Sequence, residues 1–97
     1  MIIRIDIDET ICKTPDNPRN YELAEPILEN IKKANKLYDD NHTIIYWTAR
    51  GSRSGKNWYD LTKKQLEEWG VKYHSLECNK PYYDILIDDK AKFWNNI

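Results

Sequence analysis

The chain has 97 residues, a formal charge of −1 and 32% charged residues, which bounds it to one domain with a single core and little room for further decoration. Near-neutral charge gives no global attraction to nucleic acid or to an anionic membrane, so nucleic acid is an unfavoured partner and binding must be read locally. No apolar stretch approaches the roughly 20 residues of a membrane span, and no basic segment with a signal-type apolar run opens the chain, which predicts a soluble, cytoplasmic protein with no membrane partner.

The apolar run Ile2–Ile7 predicts a first strand. Alternate residues of a strand share a face, so Asp6 and Asp8 project together from its tip, with Thr10 two residues on. Two carboxylates this close repel each other at pH 7 unless a cation or a shared proton intervenes, and a divalent metal is the simplest occupant. Residues 13–20, with Pro15, Asp16, Asn17, Pro18 and Asn20, carry turn chemistry and too little apolar content for a core element, which predicts a surface flap. Pro26 suits the first turn of a helix whose apolar face is Ile27, Ile31, Ala34 and Leu37 or Tyr38, ending near Asp40.

A second strand, Thr43–Trp47, leads into Thr48-Ala49-Arg50-Gly51 and a basic loop that runs to Lys56. That loop reads either as a solvated turn or, through Arg50 and Arg53, as a recogniser of a second anionic group on a substrate. Its glycines do not form a P-loop, because no Gly-Lys-Ser/Thr follows a strand at the required spacing. A second helix is predicted from about Asn57 to Trp69, striped by Trp58, Leu61, Leu66 and Trp69, with Gly70 in the position favoured after a helix end. A third strand, Val71–Leu76, precedes Asn79-Lys80-Pro81. The fourth, Ile85–Ile87, is opened by a structural Asp84 and closed by Asp88-Asp89, and Lys90–Asn96 reads as a short closing helix.

The first, second and fourth strands are nearly continuous apolar runs, as in a parallel sheet covered on both faces. Alternating strands and helices with right-handed crossovers predict a single Rossmann-like, three-layer α/β/α domain with a small parallel sheet. Ligands of such sheets bind beyond the carboxyl ends of the strands, where Asp6, Asp8, Thr48, Lys80, Asp88 and Asp89 all fall. Cys12 and Cys78 match no paired metal-ligand or redox spacing and read as reduced and structural. His42 and His74 are isolated and read as surface or strand-side residues.

Asp6-x-Asp8-x-Thr10, then Thr48 after the second strand, Lys80 after the third and Asp88-Asp89 after the fourth form an ordered set over nearly the whole chain. In that set the chain resembles the haloacid dehalogenase superfamily. The resemblance implies a Mg2+-dependent phosphatase with an aspartyl-phosphate intermediate. Asp6 matches the nucleophile and Asp8 the general acid and base. Thr48, with Ala49 beside it, and Lys80 match the phosphate-binding positions. Asp6, Asp88 and the Asp8 backbone carbonyl match the metal ligands, with Asp89 behind Asp88 or capping the next helix. Elementary chemistry supports such a set: a cation bridging Asp6 and a phosphoryl oxygen offsets the repulsion between two anions, and Lys80 with Thr48 faces the equatorial oxygens.

The flap after the first motif is short, and only three residues separate Leu76 from Lys80, so the resemblance is to the capless members, whose open sites serve macromolecules or are closed by a neighbouring subunit over a small sugar-acid phosphate. Glu9 departs from the Gly or Asp common at that position. The expected partner is therefore a small phosphorylated metabolite, and the lack of a clear fifth strand after the acidic pair predicts an exposed sheet edge and a homo-oligomer, such as a tetramer; small capless enzymes of this resemblance are familiar beside capsule polysaccharide biosynthesis genes. A polynucleotide 3′-phosphate or phosphoprotein substrate, and a non-catalytic phosphoacceptor or interaction domain, are the rival readings.

Overall fold

The computed structural model describes residues 1–16 and 19–96. Its centre is a three-stranded parallel sheet of β1 (Ile2–Ile5), β4 (Thr43–Trp47) and β5 (Ser75–Glu77). The order is β1-β4-β5, with Ile2 opposite Thr43, Ile5 opposite Tyr46 and Trp47 opposite Glu77. β2 (Cys12–Lys13) and β3 (Glu25–Pro26) make a small antiparallel ribbon beside it. Helix α1 (Leu28–Asp39) joins β1 to β4 by way of that ribbon, and α2 (Tyr59–Glu68) joins β4 to β5.

Both crossovers step the same way across the sheet, so right-handedness puts both helices on one face. The core agrees: Ile5, Ile44, Tyr46 and Leu76 from the sheet are buried with Ile31 and Ala34 of α1 and Leu66 of α2. The opposite face carries Arg4, Ile45, Trp47 and Glu77, which stay exposed or half-buried. There the Arg4 guanidinium lies 5.2 Å from the centre of the Trp47 ring and 2.9 Å from Glu77 Oε1. The described residues thus form two layers where three are predicted. An apolar run such as Ile44-Ile45-Tyr46-Trp47 satisfies one buried face and one half-open face equally well, so continuity alone does not reveal the missing layer.

This asymmetry sets an expected result. Ile44→Val removes a methylene from a fully buried site and should cost about 0.5–1.5 kcal/mol in urea unfolding. Ile45→Val, on the uncovered face, should cost clearly less. Equal losses would mean that the second face is covered too.

Other boundaries move for local reasons. Pro26 pairs with Cys12 in the ribbon, and Ile27 N–H donates to Ile11 O, so the helix begins only at Leu28. Lys13, read as flap, belongs to β2, while Asn17 and Pro18 of the flap lie outside the described residues. In α2, Asn57 Oδ1 accepts from Tyr59 N–H and the helix starts there. Gly70 takes φ +70, as a residue closing a helix does, and Val71 N–H returns to Leu66 O, which delays the third strand to Ser75.

The larger correction is at the fourth strand. Ile85, Leu86 and Ile87 form no strand and are 79, 50 and 95% exposed. The closing helix reduces to one 3-10 turn, Trp94–Asn96. β-branched residues favour a pleated, half-buried strand, yet a strand forms only against a neighbour; among the described residues nothing pairs with the outer edge of β1. No described helix is long and apolar enough to cross a membrane.

Candidate active site

The carboxyl ends of β1 and β4 set the site. After β1 the chain makes a tight loop in which the N–H groups of Thr10 and Ile11 both donate to Ile7 O, while Ile7 itself is fully buried. Glu9 takes φ +63, a left-handed conformation that costs a non-glycine residue roughly 1–2 kcal/mol. Its carboxylate offsets part of that cost by accepting from Thr14 N–H (3.1 Å) and Lys13 Nζ (3.2 Å). The loop holds Asp6 and Asp8 either side of buried Ile7.

Their environments differ. Asp6 is 40% exposed, and its Oδ1 lies 3.6 Å from Lys80 Nζ. Desolvation at the strand tip raises its pKa above the ordinary value, outweighing the pull of Lys80. Lys80 is held there by its own N–H, which donates to Thr48 O (3.2 Å), and its ammonium lies 5.5 and 5.4 Å from the Trp47 and Tyr83 ring centres.

Asp8 is more deeply placed, with 11% of its side chain exposed, and is ion-paired to the fully buried Arg50 side chain. Arg50 Nη2 donates to Asp8 Oδ1 at 2.9 Å and Nε to Oδ2 at 3.0 Å, a bidentate fork. Thr14 Oγ1 donates to Oδ1 at 2.6 Å. Burial alone would raise the Asp8 pKa, but Arg50 and then Thr14 hold it below the ordinary value. The remaining Arg50 donors go to Thr62 Oγ1 (3.0 Å), Gln65 Oε1 (2.6 Å) and Cys12 Sγ (3.9 Å), and the guanidinium stacks 4.7 Å over the Tyr21 ring. Arg50 is therefore a buried organiser and not, as its loop position suggests, a group that reaches out to substrate.

The other predicted residues separate in the same way. Thr48 is 1% exposed, and its Oγ1 accepts from Arg50 N–H at 3.2 Å, so its hydroxyl is turned to the loop. Ala49 carries the turn, with its carbonyl accepting from Ser52 N–H. Gly51, at φ +83, is required because a Cβ there would run into the Lys56 carbonyl oxygen. Arg53 is exposed and lies 4.5 Å from the Tyr82 ring centre. Cys12 is buried and unpaired, its thiol pushed up to about 11 by burial.

Asp88 and Asp89 are exposed, on the segment expected to be the fourth strand. Asp88 Oδ1 accepts from Lys90 N–H at 2.9 Å, and this bond lowers its pKa. Among the described residues no three acidic, histidine or cysteine side chains come together as a cation site. The described residues of one chain thus bring Asp6, Asp8, Thr48 and Lys80 to the tips and do not gather Asp88 with them.

Thr14, Thr62, Gln65 and Tyr21 are partners that the motif reading missed. The signal for two of them was present: Trp58, Thr62, Gln65 with Leu66, and Trp69 share one face of the second helix by their spacing. Polar residues on an otherwise apolar stripe demand a buried partner, and Arg50 is that partner. Two concavities line α1, one past Leu28, Lys32, Asn35 and Asp39 and one between Leu37 and Trp94; neither is lined by Asp6, Asp8, Thr48 or Lys80.

No protein-family model and no curated protein matches the chain. Among solved structures it is similar to the crystal structure of a target protein from Vibrio cholerae, with 22% identity over 99% of this chain and 86% of that one, and a TM-score of 0.84. That likeness establishes a shared α/β fold.

Proposed function

We propose that the protein is a phosphomonoesterase of the capless haloacid dehalogenase type, in which Asp6 attacks the phosphorus of a small sugar or sugar-acid phosphate. The observation that carries this reading is the pairing of a half-exposed Asp6 carboxylate with Lys80, 3.6 Å away, beside an Asp8 locked in place by Arg50. A nucleophile must be reachable, and Asp6 is the exposed member of the Asp-x-Asp pair. Lys80 faces the same point and is placed to take charge from an equatorial phosphoryl oxygen, with the Thr48–Ala49 turn beside it.

Asp8 is held ionised, which suits the second half of such a reaction, where an aspartyl phosphate is hydrolysed and the attacking water gives up a proton. Its use as an acid in the first half requires the fork with Arg50 to open. Bound Mg2+ would supply Lewis-acid neutralisation between Asp6 and the phosphoryl group. The Asp6 carboxylate and the Asp8 backbone carbonyl would hold it, with Asp88 as the further carboxylate that the resemblance implies.

Phosphate release from a panel of phosphorylated metabolites, with Mg2+ and with a chelator, tests the reading. Lys80→Ala should lower kcat by about 10²-fold, since it removes a charge aimed at the transferring group. No release from any member of the panel would remove the hydrolase proposal.

A further inference from the structure

Resting on the phosphatase reading only for its catalytic consequence, we infer that the segment Pro81–Phe93 is an exchange arm: its strand Asp84–Asp88 pairs with the free edge of β1 in a second copy of this chain, and each site is completed by the partner's Asp88.

Three observations converge. The arm presents Ile85, Leu86, Ile87 and Phe93 to solvent, at 79, 50, 95 and 80% exposure, which a lone molecule has no reason to keep. The outer edge of β1 has no neighbour among the described residues, and Ile2 on it and Leu28 at the start of α1 are exposed as well. The chain exposes 6891 Å², whereas a compact monomer of its mass exposes roughly 5,900 Å². The excess, about 1,000 Å², is close to the ~800 Å² that each partner gives to a stable interface.

The occupant of that edge is a second copy because the arm's two roots are tied to their own core. At one root Lys80 N–H donates to Thr48 O and the Tyr82 ring lies against Arg53. At the other, Trp94 Nε1 donates to Thr10 O at 3.1 Å. Between these ties the apolar run pairs with no strand among the described residues and stays exposed. Pairing within one chain would have to draw Tyr82 down the sheet and away from Arg53, whereas pairing with a neighbour leaves both roots in place.

In a parallel pairing that sets the partner's Asp88 beside Asp6, the partner's Ile85 and Ile87 fall beside Ile3 and Ile5, on the face that builds the core. The partner's Leu86 falls beside Arg4 on the uncovered face. Asp6 then gains the second carboxylate that a cation with oxygen ligands requires. The missing acidic group and the unpaired edge share one remedy.

The first test does not depend on activity. The wild-type chain should have the mass of a dimer or an even multiple in solution. In a Cys78→Ser background, a copy with Arg4→Cys mixed by co-refolding with a differently tagged copy carrying Leu86→Cys should form an interchain disulfide. A single chain with both substitutions should likewise link between copies. A monomeric mass, or a disulfide found only within one chain, would overturn the exchange.

The second test uses phosphate release. Asp6→Asn chains and Asp88→Asn/Asp89→Asn chains, each inactive alone, should recover about one quarter of wild-type activity when co-refolded in equal amounts, because half the intact cores receive an intact arm. A wild type that cross-links as expected but releases no phosphate would remove the phosphatase reading and leave the exchange standing. Mixtures that stay inactive while the wild type is active would overturn the shared site.

Discussion

Asp6→Asn is expected to lower phosphate release at least about 10³-fold, some 4 kcal/mol of transition-state stabilisation, while leaving the fold intact. An amide of the same shape has no anionic oxygen to attack phosphorus, so turnover has no alternative route through that position. Stability should follow a different course. Asp6 is 40% exposed and its contact with Lys80 is long, which limits the pair to the small contribution of a solvated ion pair. Desolvation also opposes its charge, as the upward shift of its pKa shows, so a neutral side chain loses little there. Urea unfolding of Asp6→Asn should therefore lie within about 0.5 kcal/mol of wild type. Retained turnover would remove Asp6 as nucleophile, and a loss of several kcal/mol would recast it as a structural carboxylate.

That contrast between neighbouring acids could not be read from Asp6-Ile7-Asp8. Strand alternation puts both carboxylates on one face, and to that extent the sequence is explicit. Which of them stays open depends on Arg50, 42 positions beyond Asp8, and on Thr14, Thr62 and Gln65, which close around the guanidinium. Local pattern reports the direction a side chain leaves the backbone; it does not report which distant charge arrives to meet it. Arg50 looked like a loop residue because it follows Thr48 in a basic stretch, yet it is among the most deeply buried polar groups.

The strands were legible in proportion to how much of their signal was local. Thr43–Trp47 appears where its apolar β-branched run puts it and the first strand covers Ile2–Ile5 of the run Ile2–Ile7, with Ile5 opposite Tyr46, so that the two strands end side by side at Asp6 and Thr48. The run Ile85–Ile87 has the same composition but no strand partner among the described residues. Composition records that a segment prefers burial in a sheet and is silent about whose sheet. The expected third layer was misread for a related reason, since Ile45 and Trp47 are apolar on a face that no described helix covers.

Arg50→Ala should be the most destabilising single change at the site, at about 3–5 kcal/mol, because it leaves a buried carboxylate with only the longer, half-exposed contact to Arg19 (4.0 Å) as counter-charge. For a domain whose whole stability is about 5–15 kcal/mol, that is enough to unfold a large fraction at moderate temperature. The cost comes less from the lost ion pair than from Asp8, whose side chain is only 11% exposed and cannot be rehydrated in place. Asp8→Asn in the Arg50→Ala background should accordingly recover part of the loss, a coupling that urea titrations of the two single variants and the double variant would measure. Acid should narrow the gap between wild type and Arg50→Ala, and the sign follows from Asp8. In the wild type its pKa is lowered, so its stabilising contribution is whole above the ordinary carboxylate range and is lost as pH falls through the folded-state value. Without Arg50, burial is opposed only by the Thr14 hydroxyl and by Arg19, 4.0 Å away, so that pKa moves up and protonation then relieves the variant of a poorly compensated charge. A gap that stays constant from neutral pH down through the carboxylate range would show that Arg50 acts through packing against Tyr21 and α2 and not through Asp8.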